Sequence, residues 1–288
     1  MRLAEATKDE ATKQELKRLA GAAYADEVNR KRASVLDLLD RFPSVSLPFG
    51  AFLSLLPPIR PRQYSISSSP LSDPARATLS YTLVDAPSLA NPANRHIGVT
   101  TGFLASLGPG DRVNVSVRQS HSTFRLPAEA VMDKTPIICA AAGSGLAPFR
   151  GFIQERAVLL AKGRRLAPAL FFFGCRGPQM DDLYREELDR WQQMGAVDVR
   201  RAYSRVANNG ETEAGGCKHV QDRLWQDKDE VKALWERGAM VYVCGSRHVG
   251  DEVKKAMGKI VAGQVTEEGV TQWYESVRNE RYATDVFD

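Results

Sequence analysis

The chain reads as α/β plus β: a helical N-terminal segment, a small antiparallel barrel or sandwich, and then a doubly wound parallel-sheet domain. Three observations predict this. The first 41 residues are rich in Ala, Lys, Glu and Leu and sparse in Gly and Pro, residues 63–117 alternate like half-buried strands, and beyond Pro136 apolar runs of strand length are separated by helical stretches. A length of 288 residues exceeds one typical domain, and we place the boundaries at 1–60, 61–132 and 133–288.

The helical expectation for residues 1–41 rests on composition and on Val35, Leu36, Leu38 and Leu39 at helical spacing. From Pro43 to Pro61 prolines punctuate the chain around a short apolar piece, residues 52–56. QYSISSS (63–69), ATLSYTLVD (77–85) and DRVNVSVRQ (111–119), the last after the turn GPGD, predict strands of a small antiparallel barrel or sandwich. IICAAA (137–142), ALFFFG (169–174), VDVRRAY (197–203) and MVYVCG (240–245) predict buried parallel strands. Helices are expected in AVLLAKG, DDLYREELDRWQQM, HVQDRLWQ and EVKKAMGKIV, and a polar glycine-rich loop over 208–216.

Composition excludes several classes. The apolar fraction of 43% and the charged fraction of 26% are those of a soluble globular protein. No apolar run approaches the roughly 20 residues that span a bilayer, and the first 21 residues hold no apolar signal core, so we expect a cytoplasmic protein without a membrane span. Cys139, Cys175, Cys217 and Cys244 lie far apart with no CxxC, which predicts reduced thiols and no metal site. The net charge of +4 is scattered rather than gathered into a basic block, which argues against nucleic acid and suits anionic nucleotides.

The sharpest local motif is IICAAAGSGLAPFRGFI. A buried strand ends at Gly143, passes Ser144, Gly145 and Pro148, and opens a helix running toward Lys162. Glycines at 143 and 145 permit positive φ and close backbone approach, and the helix N-terminus offers N–H groups and a positive dipole to a pyrophosphate. Pro148 replaces the third glycine of the usual dinucleotide fingerprint, so taken alone the motif is also compatible with an ordinary strand-to-helix turn. The strand VDVRRAY runs into Ser204 and Arg205, with Lys218 farther along. A hydroxyl and cations at the end of a parallel strand suit the 2′-phosphate of NADP, and equally suit a solvated basic edge.

RQYSISSS, HIGVTTGFL, GSGLAPFRGF, FFFGCRGPQMDDLYREEL, AYSR, KHVQDRL, VYVCG and RYATDVF stand in the order found in NADPH-haemoprotein reductases. The chain resembles the FAD- and NADPH-binding part of that diflavin family, above all in self-sufficient haem-thiolate fatty-acid monooxygenase fusions, along nearly its whole length. The resemblance implies a ferredoxin-NADP-reductase-like fold and an oxidoreductase that passes hydride from NADPH to FAD. Electrons would leave through FMN, carried on a flavodoxin-like domain, to a haem-thiolate monooxygenase.

It also implies residue roles. Arg62 would contact the FAD pyrophosphate, Tyr64 stack on the isoalloxazine, and Ser65 lie near flavin N5. Gly98, Val99, Thr100 and Thr101 would form the second FAD element. Gly143, Ser144, Gly145, Pro148, Ser204, Arg205, Lys218 and Gln221 would hold NADP, and Cys244 would lie beside the nicotinamide, oriented by Asp285. Physical chemistry supports the types: a guanidinium fork for phosphate, an aromatic face for a planar ring, a hydroxyl for developing charge.

Departures from the family pattern are specific. Phe287 stands where Trp commonly covers the flavin, and in CKHVQ Lys218 is shifted by one with His219 where Tyr is usual, so Ser204 and Arg205 carry more of the NADP assignment. The chain begins inside the connecting segment, which leaves the FMN domain and the first barrel strands outside it and predicts an N-terminally truncated sequence. Two rival readings keep the same motifs: a stand-alone ferredoxin- or flavodoxin-NADP reductase, and a truncated nucleotide-binding fragment without catalysis.

Overall fold

A computed structural model describes residues 1–118, 123–206, 213–278 and 280–287. The chain divides into two compact units, Met1–Gln63 with Thr82–Val113, and Tyr64–Tyr81 with Asn114–Asp288.

In the first unit the expected long helix is broken into pieces: α1 (Arg2–Glu5), α2 (Glu10–Ala20), a π-helical turn over Tyr24–Asn29, and α3 (Val35–Arg41). Capping is the reason. The Asp9 carboxylate accepts the Thr12 N–H at 2.8 Å and starts α2, and Ser34 with Asp37 forms a reciprocal capping box that starts α3. Arg18 pairs with Glu15 and Glu27, both at 2.7 Å, and Leu16 and Leu19 are buried beneath. Then follow α4 (Phe49–Leu55), the antiparallel pair β1 (Asp85–Pro87) and β2 (Arg95–Ile97), and α5 (Val99–Ser106).

The antiparallel part is smaller than its sequence pattern predicts. Residues 63–69 and 77–85 contribute one bridge, Ile66 to Leu79, and the start of β1, while 111–118 join no ladder; Gln119 lies outside the described residues. Alternation alone does not make a strand, which needs a hydrogen-bonded neighbour and a buried face. Among the described residues no strand pairs with Val113, Val115 or Val117, which are 41%, 77% and 81% exposed.

The second unit is built on a five-stranded parallel sheet: β3 (Ile137–Ala142), β4 (Ala169–Cys175), β5 (Asp198–Tyr203), β6 (Met240–Ser246) and β7 (Tyr282–Phe287), in the order β5-β4-β3-β6-β7. The doubly wound prediction holds, with one strand added at the edge: β7, whose sequence stands out only as a terminal motif. Helices α6 (Ala147–Ala161), α7 (Arg185–Gln193), α8 (Val220–Gln226) and α10 (Arg247–Ala262) match the predicted segments. Two more, α9 (Lys228–Glu236) and α11 (Glu267–Val277), lie beyond them. Part of the predicted loop, residues 208–212, lies outside the described residues.

Strand alternation sorts the core into two layers. Ile137, Cys139 and Ala141 with Phe171 and Phe173 pack against Phe149 and Ile153 of α6, whereas Ile138, Phe172 and Val243 pack against Leu224, Val231, Val253 and Met257. No helix is long and apolar enough to cross a membrane among the described residues.

Candidate active site

The strand order fixes where a ligand sits. The chain leaves β3 toward β4 and β5 on one side, then returns to place β6 and β7 on the other, so the C-terminal ends of β3 and β6 flank the crevice of a topological switch point. At that crevice β3 passes through a 3-10 turn, Gly143–Leu146, into α6. Gly143 adopts φ +56, and a Cβ built on it meets nothing within 4 Å. Gly145 is packed: a Cβ there collides with the carbonyl of Cys244. The turn thus lies backbone to backbone against the end of β6, with Ser144 half-buried between the glycines and Pro148 in the first turn of α6. The open side at Gly143 and the first-turn amides of α6 fit a pyrophosphate.

Three predicted residues meet beside this turn. Cys244 and Asp285 are register partners on β6 and β7, and the Ser65 hydroxyl donates to Asp285 Oδ2 at 2.7 Å. Cys244 is 1% exposed; burial first, and then the Asp285 charge, push its thiol up, so it stays protonated at neutral pH. A protonated thiol is a neutral, polarizable neighbour rather than a nucleophile. Phe287 lies two residues beyond Asp285 on the same face of β7 and is 47% exposed. Tyr64, half-buried, meets Tyr81 edge-on with ring centroids 5.9 Å apart.

A second group forms where β5 ends. The Ser204 N–H and hydroxyl both donate to the Cys175 carbonyl, at 2.9 and 3.3 Å, and the Arg205 N–H donates to the Arg176 carbonyl. Both side chains are exposed. The Tyr203 N–H donates to the Cys217 carbonyl at 2.9 Å, which brings exposed Lys218 to the edge that carries Ser204 and Arg205. Gln221 is half-buried in the first turn of α8.

Beneath this edge lies a charge network that sequence reasoning missed. Arg201, 3% exposed, pairs with Asp182 at 2.9 Å and with Asp189 at 2.7 Å, and Glu213 receives the Tyr203 hydroxyl at 2.6 Å and Arg185 at 2.6 Å. Burial favours a protonated Glu213, but the Tyr203 and Arg185 donors outweigh it and hold the carboxyl below its usual range. The sequence signal was the clustering of opposite charges in DDLYREELD and VRRAY.

The remaining predicted residues belong to the first unit. Arg62 is exposed and its guanidinium donates to the Arg60 carbonyl. Gly98 caps α5, its N–H donating to the Val84 carbonyl at 2.8 Å, while the Val84 N–H donates to the Thr101 hydroxyl at 3.2 Å. Thr101 is buried and committed to that turn, whereas Val99 is exposed and Thr100 half-buried.

Residues 1–103 match the family model described as an FAD binding domain, and residues 139–255 that of an oxidoreductase NAD-binding domain. A bifunctional cytochrome P450/NADPH–P450 reductase of Fusarium oxysporum is 57% identical over 99% of this chain and 27% of its own length. The chain is thus similar, along nearly its whole length, to proteins that join an FAD binding domain to an oxidoreductase NAD-binding domain. A self-sufficient cytochrome P450 monooxygenase of Exserohilum turcicum is 45% identical, over 99% of this chain and 26% of its own. Another from Phanerodontia chrysosporium is 44% identical, over 97% and 26%. The chain therefore spans about a quarter of the length of these curated relatives. The FAD-binding match takes in Arg62, Tyr64, Ser65 and Gly98–Thr101. The NAD-binding match takes in the 143–148 turn, Ser204, Arg205, Lys218, Gln221 and Cys244, and Asp285 and Phe287 follow it.

Proposed function

We propose that this chain accepts hydride from NADPH onto FAD and releases the electrons singly, through FMN on a flavodoxin-like domain, to a haem-thiolate monooxygenase in the cytoplasm. The observation that carries this reading is the convergence of Ser65, Asp285 and Cys244 beside the glycine turn of a doubly wound sheet. Residues 1–60 then serve as the connecting segment, 61–132 as the FAD-binding part and 133–288 as the NADP-binding domain.

The roles follow from chemistry. The N–H groups of the 143–146 turn, with Pro148 starting α6, receive the pyrophosphate, and Ser204, Arg205 and Lys218, with Gln221 nearby, receive the 2′-phosphate. FAD, when bound, supplies the two-electron centre that hands electrons on one at a time. Hydride transfer needs alignment more than acid-base catalysis, so Asp285 orients Ser65, Cys244 packs against the ring that arrives, and Tyr64 and Phe287 stack. Arg62 and the amides of 98–101 take the FAD phosphates.

The test is a visible spectrum with and without added FAD, followed by ferricyanide reduction with NADPH and with NADH. The reading predicts a bound flavin spectrum and turnover that prefers NADPH. A chain that binds no flavin, or that oxidises neither nucleotide, overturns it.

A further inference from the structure

One buried cation has no part in the mechanism above. Arg150, at the end of the first turn of α6, is 8% exposed, and its guanidinium is spent on fixed partners. Nη1 donates to the Ser67 carbonyl at 2.7 Å and to the Thr78 hydroxyl at 3.3 Å, and Nε and Nη2 meet Glu187 at 2.9 and 2.7 Å. The Tyr184 ring lies 4.4 Å from its Cζ, and the Tyr184 hydroxyl is 2.8 Å from Ser80. Tyr184 holds a left-handed conformation, φ +56, which a non-glycine residue keeps only where surroundings impose it.

The same face of α6 grips the neighbouring residues. Gln154 accepts the Ser69 N–H at 2.8 Å, Glu155 accepts the Ser69 hydroxyl at 2.9 Å, and Gly151 leaves room for the Ser68 backbone, which a Cβ would meet at 3.3 Å. Ser67 lies two residues from Ser65, whose hydroxyl reaches Asp285. One helix therefore begins at the glycine turn and, a turn later, clamps the backbone that carries Ser65.

We propose that Arg150 is a positioning residue for hydride transfer: by holding the Ser67 carbonyl on α6, it sets where Ser65 meets Asp285. The proposal rests on the reductase reading. A fork is required, because one group must bond a carbonyl, a hydroxyl and a carboxylate in fixed directions, which a lysine ammonium does not reproduce.

The experiment compares the FAD-loaded chain with Arg150→Gln and Arg150→Lys by anaerobic stopped-flow reduction with NADPH, alongside binding of adenosine 2′,5′-bisphosphate and amide hydrogen exchange at Ser67, Ser69 and Thr78 without flavin. Arg150→Gln is expected to slow hydride transfer by about 10–100-fold, to leave bisphosphate affinity unchanged and to speed exchange at the three amides. Arg150→Lys recovers only part of the rate and serves as the test variant if Arg150→Gln does not fold. Wild-type hydride transfer in the folded variant, or exchange that does not change, overturns the proposal. Failure of the wild-type chain to reduce FAD counts instead against the reductase reading, and the exchange measurement still decides whether Arg150 clamps the segment.

Discussion

Gly145→Ala probes the crevice with one methyl group. The added Cβ comes within 2.8 Å of the Cys244 carbonyl carbon and 2.9 Å of the Gly245 Cα, where ordinary contact starts at 3.4 Å. All of these are backbone atoms, on a strand paired to β3 through Ala141 and Cys244, so no side chain can rotate away. The carbonyl oxygen of Cys244 lies closer still, so the turn must lift off β6 by about an ångström at the switch point, and overpacking of this kind costs about 1–3 kcal/mol. For a unit of this size that lowers Tm by about 2–10 °C. Differential scanning calorimetry reads the shift and titration with adenosine 2′,5′-bisphosphate reads the weakened nucleotide site. Gly50→Ala, in α4 where a Cβ meets nothing within 4 Å, is the control and leaves Tm unchanged or slightly raised. A Gly145→Ala chain with wild-type Tm and wild-type affinity refutes the close packing of the turn on β6.

Four further outcomes follow from the same geometry. Tyr203→Phe removes the hydroxyl donated to Glu213 and lowers stability by about 1–2 kcal/mol, read as a drop in urea midpoint at constant m-value. Because the folded state holds the Glu213 carboxyl below its ordinary value of 4.5, its contribution is complete above that pH and is lost as pH falls through the lowered value; Glu213→Gln flattens the acid limb of a Tm–pH profile. Arg205→Ala raises KM for NADPH by about 10–100-fold and leaves KM for NADH unchanged in ferricyanide assays. All four cysteines are buried and burial pushes their thiols up, Cys175 to about 12, so a chromogenic disulfide at pH 8 labels them only after unfolding.

The α/β half was legible because strands covered on both faces must be apolar throughout, and IICAAA and ALFFFG suit no water-facing position. β7 is harder to read as a strand: only Tyr282 and Ala283 are buried, and Asp285, Val286 and Phe287 are exposed, so its apolar signal covers two residues. The first 41 residues carry their own breaks in Asp9, Gly21 and in Ser34 with Asp37, but average composition hides them. Alternation in 111–118 overpredicts a strand since the pattern records a preference for a pleated surface and not the presence of a partner. Among site residues, the crevice group was legible as family motifs, and the Ser65–Asp285 contact joins positions 220 residues apart. Arg150 and Arg201 escape a reading of the sequence because a buried charge is recognisable only once its partners are in place.

Anaerobic stopped-flow reduction of the FAD-loaded chain by NADPH, in wild type and in Asp285→Asn, tests the central claim most directly. NADPH is expected to bleach the flavin in the wild type, with a rate at least about 10-fold lower in Asp285→Asn at unchanged flavin content. Bound flavin that NADPH does not reduce, or an Asp285→Asn chain that reduces it at the wild-type rate, contradicts it.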